Sequence, residues 1–178
     1  FHMEEYDFII DAIDSLKDKA DLILRATALP NHITFVSSMG AALRRDPFMI
    51  RKAEFFKVKG DPLARALRKK FKHNKTAPSR KFMCVYSEEK PMLNMGVNKA
   101  CGTGGCLCPK AKLLSGERGT DTAVYDAPGD QRLVEHEWCT SKAQITGSLC
   151  HIPASFGMAI AGIVINDIID CQAPTSQQ

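Results

Sequence analysis

A chain of 178 residues, 44% hydrophobic and 25% charged, suits one soluble domain or a large piece of one. Twelve glycines and nine prolines without any repeat exclude collagen-like and low-complexity chains. Seven cysteines, an odd number at irregular spacing behind an opening (FHMEEYDFIID) that does not read as a signal peptide, argue for free thiols in a reducing cytosol and a cytoplasmic protein.

The net charge of +4 is mild, but it is unevenly spread. Between Arg44 and Arg80 stand thirteen Lys or Arg against three acids, Asp46, Glu54 and Asp61. That block is +10, so the rest of the chain sums to −6. It reads either as a solvated helix face or as a surface for a polyanion.

In chain order, YDFIIDAID reads as a buried parallel strand. Asp14 or Ser15 then caps a helix with apolar positions at Leu16, Ala20, Ile23, Leu24 and Ala28, stopped by Pro30. HITFVSS is a second strand and SMGAALRRDP a loop. Strand, helix and strand in this span form a crossover unit, so a mostly parallel sheet is expected. MIRKAEFFKV reads as a further strand. Asp61 and Pro62 open a helix, PLARALRKKFKH, in cap-then-proline order, and KFMCVYS reads as a strand. Residues 88–143 are loop-like and longer than a packed domain needs. Pro153 opens a helix to about Ile169, apolar nearly all round, which suits a core or a subunit interface. Its longest apolar stretch, Ile152 to Ile165, is too short to span a bilayer, so no membrane is expected.

A parallel sheet of this kind holds nucleotide with a glycine-rich turn after its first strand. No G-x-G-x-x-G follows a strand here, and GTGG at 102–105 opens no helix.

Taken in order, DFIIDAIDSLKDK, ITFVSSMGA with the Asp46–Pro47 pair, GDPLARALRKKFK, CVYSEEKP and ITGSLCHIPASFGMAIAGIVIND resemble the C-terminal part of the tRNA threonylcarbamoyladenosine dehydratases. These belong to the ThiF/MoeB/HesA superfamily of ubiquitin-activating-type enzymes. The resemblance covers residues 4–88 and 145–169, and the stretch from Asn94 to Trp138 has no counterpart. It implies an α/β fold, the second half of a Rossmann-like ThiF/MoeB-type domain. Residues 1–87 would be part of the ATP-binding domain, 88–143 a cysteine-bearing loop or insertion, and 144–178 the helix and tail completing that domain.

The resemblance also implies a chemistry. Mg-ATP adenylates the threonyl carboxylate of a modified adenosine in tRNA, and the carbamoyl group attacks the anhydride, closing a ring and releasing AMP. Asp14 matches the acid that holds Mg²⁺ against the triphosphate. Asp14, Ser15, Lys19, Ser38 and Gly40 are the implied nucleotide-binding residues, Lys19 by its match to a motif lysine and without a firm role. Asp11 points the other way along its strand and reads as structural. With tRNA in view, the basic block becomes its surface, through Arg44, Arg45, Arg65, Arg68, Lys69 and Lys72. The family's glycine turn would lie upstream of Phe1, so the isolated chain is expected to be inactive and to need an N-terminal half or a partner. A homodimer through the last helix is expected from the superfamily's habit.

The superfamily often binds zinc through two C-x-x-C pairs, and none exists here. Cys101, Cys106 and Cys108 are spaced by five residues and by two; with Cys139 and His136 they could make four ligands, but no zinc is expected. They read as incidental thiols, while Cys84 and Cys150 read as core residues. Two other functions remain: an enzyme adenylating a ubiquitin-like or sulfur-carrier protein, and a non-catalytic dimerising fragment.

Overall fold

The computed structural model describes residues 2–95 and 146–172. The expected loop over 88–143 therefore lies largely outside the described residues, as do GTGG, Cys101, Cys106, Cys108, His136 and Cys139. Phe1–Leu93 and Ser148–Gln178 form one compact unit.

Among the described residues, four strands and three α-helices build that unit: β1 (Phe8–Asp11), α1 (Leu16–Ala28), β2 (Thr34–Ser38), β3 (Ile50–Glu54), α2 (Pro62–Asn74), β4 (Met83–Ser87) and α3 (His151–Gln172). The sheet order is β1-β2-β4-β3. β1, β2 and β4 run parallel, with Asp11 opposite Ser37 and Ser37 opposite Cys84. β3 is an antiparallel edge, Ile50 facing Ser87 and Glu54 facing Met83.

Both amphipathic helices begin where their caps dictate. The Ser15 hydroxyl accepts the Asp18 amide at 3.2 Å, and the Asp61 carboxylate accepts the Ala64 amide at 2.8 Å, each satisfying an amide that the first turn leaves unpaired. α2 ends on Lys75, a non-glycine residue at φ 53°, whose amide returns to the last carbonyls. The strand expected over residues 49–58 is shorter. The Glu54 carboxylate accepts the Phe56 amide at 3.2 Å and turns the chain into a 3-10 turn at Phe55–Lys57. That turn drops Phe55 into the core, stacked on Phe82 at 5.0 Å between ring centroids.

Strand alternation assigns the two faces of the sheet. Phe35, Cys84 and Tyr86 pack with Ile23, Ala26, Leu67 and Phe71 of α1 and α2. Val36 and Val85 point the other way, onto Ile152, Phe156 and Ile160 of α3. Burying a side chain such as Ile23, which has no exposed surface, contributes about 1.5–3 kcal/mol.

α3 corrects two expectations. Its reach is not set by the apolar stretch to Ile165: Asp167 accepts the Thr34 hydroxyl at 2.9 Å and the helix runs 22 residues, about 33 Å. It is thus the one helix among the described residues long and apolar enough to cross a membrane, which by itself is weak evidence of a span. Nor is it buried all round: Met158, Ile165, Ile168 and Ile169 are exposed. Cys150 too is exposed, not a core residue, because it lies in the turn before the helix.

Candidate functional site

Parallel strands bring their C-terminal ends to one edge of a sheet, where ligand sites of open α/β folds form. Here that edge carries Asp11 and the turn to α1, Ser38 and the loop after it, and Ser87.

The first turn is fastened from below. Asp11 is fully buried and ties the turn both to α1 and to β2. One carboxylate oxygen accepts the Ile13 amide at 2.9 Å. The other accepts the Ser37 hydroxyl at 2.6 Å and lies 2.7 Å from Nζ of Lys19. Lys19, also fully buried, donates to the Ile13 carbonyl at 3.1 Å. Both backbone groups of Ile13 are thereby fixed by one ion pair, and Asp14, the next residue, stands exposed on the turn. Ser15 follows with its hydroxyl committed to the cap of α1. Lys19, expected beside the nucleotide, is instead enclosed with Asp11.

The second loop, residues 39–46, is held at several points. The Met39 amide donates to the Val85 carbonyl at 2.8 Å, and the Met92 amide to the Leu43 carbonyl at 2.8 Å. Gly40 donates to Asp61 at 3.1 Å. A Cβ on Gly40 would stand 3.2 Å from that carboxylate, which would have to give by a few tenths of an ångström to admit it. Glu89 accepts the amides of Arg45 and Asp46 at 2.9 and 3.0 Å. The Asp46 amide foremost, with nearby arginines, holds the Glu89 carboxyl below its usual value. Ser38 adjoins this loop, its hydroxyl 3.4 Å from the Met39 carbonyl. The fold thus brings the turns bearing Asp14, Ser15, Ser38 and Gly40 to one edge.

The basic block divides. Arg45, Arg65, Lys69 and Lys72 are exposed. Arg68 is half-buried, donating to the Phe55 carbonyl at 3.0 Å with its guanidinium 5.7 Å from the Phe55 ring centre. Arg44 leaves the expected surface set altogether. It is buried, 3.7 Å from Asp61, and its three side-chain nitrogens have no hydrogen-bond partner. Burial lowers its pKa and raises that of Asp61.

Among the described residues no three His, Cys, Asp or Glu side chains gather as metal ligands. Burial pushes the Cys84 thiol well above its usual range, which makes it inert. Sequence places Ser37 with Ser38, Met39 and Gly40 in the turn bordering the adenylate, but does not show its bond to Asp11, the Glu89 clasp or the pairing of Asp11 with Lys19. One signal for the last was available: Lys19 stands three residues after Leu16 and four before Ile23, on the apolar stripe of α1, where a lysine needs a buried partner.

No protein-family model matches the chain. It is 40% identical over 86 residues to tRNA threonylcarbamoyladenosine dehydratase 2 of Saccharomyces cerevisiae, covering 48% of this chain and 18% of that protein. It is 32% identical over 108 residues to the tRNA threonylcarbamoyladenosine dehydratase of Bacillus subtilis, covering 60% and 41%. The solved structure of the Escherichia coli tRNA N6-threonylcarbamoyladenosine dehydratase superposes with a TM-score of 0.56 at 22% identity, over 93% of this chain and 49% of that one. The chain thus spans less than half the length of these relatives, and its fold is that of part of the Escherichia coli enzyme.

Proposed function

We propose that this chain, similar over the part matched to the tRNA threonylcarbamoyladenosine dehydratases, supplies the carboxylate side of an ATP-dependent, cyclising tRNA-modifying enzyme. In that reaction the carboxylate of threonylcarbamoyladenosine takes AMP from ATP with release of pyrophosphate. The carbamoyl group then closes the ring and AMP leaves, so the nucleoside loses water.

The observation that carries this reading is Asp14, exposed on a turn whose preceding residue is pinned through both backbone groups by the buried Asp11–Lys19 pair. A single exposed carboxylate suits Mg²⁺, which takes one or two protein carboxylates and fills its shell with phosphate oxygens and water. When bound, Mg²⁺ would neutralise phosphate charge and so allow a second anion to approach. The residues have simpler tasks. Asp14 holds the metal–nucleotide complex, and the backbone of Ser38 to Gly40 borders the adenylate on a loop that Asp61 and Glu89 keep from moving. Lys19 works through Ile13 rather than on phosphate. Arg45, Arg65, Lys69 and Lys72 present charge to tRNA. The glycine-rich turn gripping the phosphates is proposed to come from a segment outside these 178 residues. Self-association through the exposed side of α3 is part of the same proposal, and light scattering on dilution tests it.

The deciding experiment measures AMP formation by the native protein with tRNA carrying threonylcarbamoyladenosine. That tRNA should stimulate AMP release, and Asp14→Asn should abolish it while leaving the thermal melt unchanged. Stimulation only by a small carrier protein with a Gly-Gly tail would overturn the reading in favour of a protein-activating enzyme.

A further inference from the structure

The edge strand β3 carries an exposed aromatic ring beyond each end. Phe48, two residues before it, is 86% exposed, and Phe56, two residues after it, is 57% exposed. Single exposed apolar residues need no explanation. Two phenyl rings bracketing one edge strand are different, because natural edges are guarded with charge to stop further pairing. The charge is present too: residues 45–59 hold five basic side chains (Arg45, Arg51, Lys52, Lys57, Lys59) and two acids, a net +3. All five basic residues are exposed. Lysine guards on the edge would account for the charge and leave the rings unexplained.

Two of the acids nearby are committed to backbone amides, and Glu88 and Glu89 lie 3.5 Å from Arg51 and 3.8 Å from Arg45. Asp46 accepts the Phe48 amide at 2.9 Å and Glu54 the Phe56 amide at 3.2 Å. The Asp46 and Glu54 bonds also order the backbone under each ring. The Phe48 carbonyl accepts from Arg51 at 2.7 Å. The Phe56 ring leans edge-on against Phe55, 5.1 Å away at 68°, and Phe55 is itself locked in the core. Two exposed rings with cations between and around them are what an unpaired strand of nucleic acid requires: faces for bases to stack on and charge to follow the backbone. A duplex offers no free base faces to such rings.

We propose that β3 and its two flanking phenylalanines form a platform for single-stranded RNA, on which unpaired bases stack against Phe48 and Phe56 while Lys52, Lys57 and Lys59 contact phosphates. The expectation of RNA rests on the proposed function; the platform deepens it by naming unpaired bases as what is held.

Fluorescence anisotropy of the full chain with a labelled single-stranded RNA of mixed sequence tests this. Phe48→Leu and Phe56→Leu should each weaken binding roughly tenfold and leave the slope of affinity against salt unchanged. Lys52→Gln and Lys57→Gln should weaken it and flatten that slope by about 0.7 each. Phe48→Trp should retain the affinity, with indole emission quenched on adding RNA, and circular dichroism should show all variants folded. Leucine variants that bind like the native chain, or a duplex that competes as well as the single strand, would overturn the platform. Loss of tRNA-stimulated AMP formation in the native protein with these binding results intact would remove the proposed enzyme and leave the platform standing.

Discussion

Lys19 and Asp11 meet at 2.7 Å, whereas Arg44 and Asp61 stand 3.7 Å apart, and all four side chains are buried. The first pair is completed. Its carboxylate also takes the Ser37 hydroxyl and the Ile13 amide, and its ammonium also reaches the Ile13 carbonyl. The second is one-sided. Asp61 has the amides of Gly40 and Ala64, but no nitrogen of the Arg44 guanidinium makes a hydrogen bond. Removing charges from water costs several kcal/mol per ion, and attraction offsets this only when the remaining donors and acceptors are satisfied. One fold therefore contains an ion pair that orders a turn and another in which the carboxylate does the structural work while the cation is under-used.

The contrast can be broken by substitution. Lys19→Met leaves Asp11 buried without its cation and should cost about 3–5 kcal/mol in urea unfolding. Asp61→Ala removes the cap of α2 and the acceptor for Gly40, and should cost about 2–4 kcal/mol in the same measurement. Arg44→Met, which removes donors that are already unsatisfied, should change stability by less than about 1 kcal/mol. A loss as large as that of Lys19→Met would mean the two pairs are equivalent after all.

Acidity sharpens the same comparison with the smallest expected effect. Burial raises the Asp61 carboxyl above its ordinary value. Between the unfolded and the raised folded value, the folded chain holds a proton there that the unfolded chain has released. Lowering pH through that window therefore favours the folded native chain relative to Asp61→Asn, and raising pH removes the advantage. Unfolding free energies of the two proteins across mildly acidic pH should diverge in that direction; parallel curves would count against it.

Much of the fold was legible because its signals are local. Ser15 and the Asp61–Pro62 pair marked two helix starts, and apolar runs marked the three parallel strands. The shortened β3 was harder, since the Glu54 cap that ends it looks in sequence like any other strand residue. The basic block shows the limit most plainly. Arg80 was counted with its neighbours as surface charge, yet it donates to the carbonyls of Pro30 and Ala26 at the end of α1, at 3.1 and 3.4 Å. Nothing in the spacing of residues 44–80 separates such an arginine from Arg65, which is exposed.

By itself the sequence determined the elements, the parallel order of the crossover and the turn on which Asp14 stands, because caps, prolines and side-chain periodicity act over a few residues. Only the tertiary structure decided which charges remain in water. That choice depends on partners from distant strands and helices: Asp11 with Lys19, Arg44 with Asp61, Thr34 with Asp167. Desolvation is a property of the packed environment, and two arginines identical in sequence can differ in it completely.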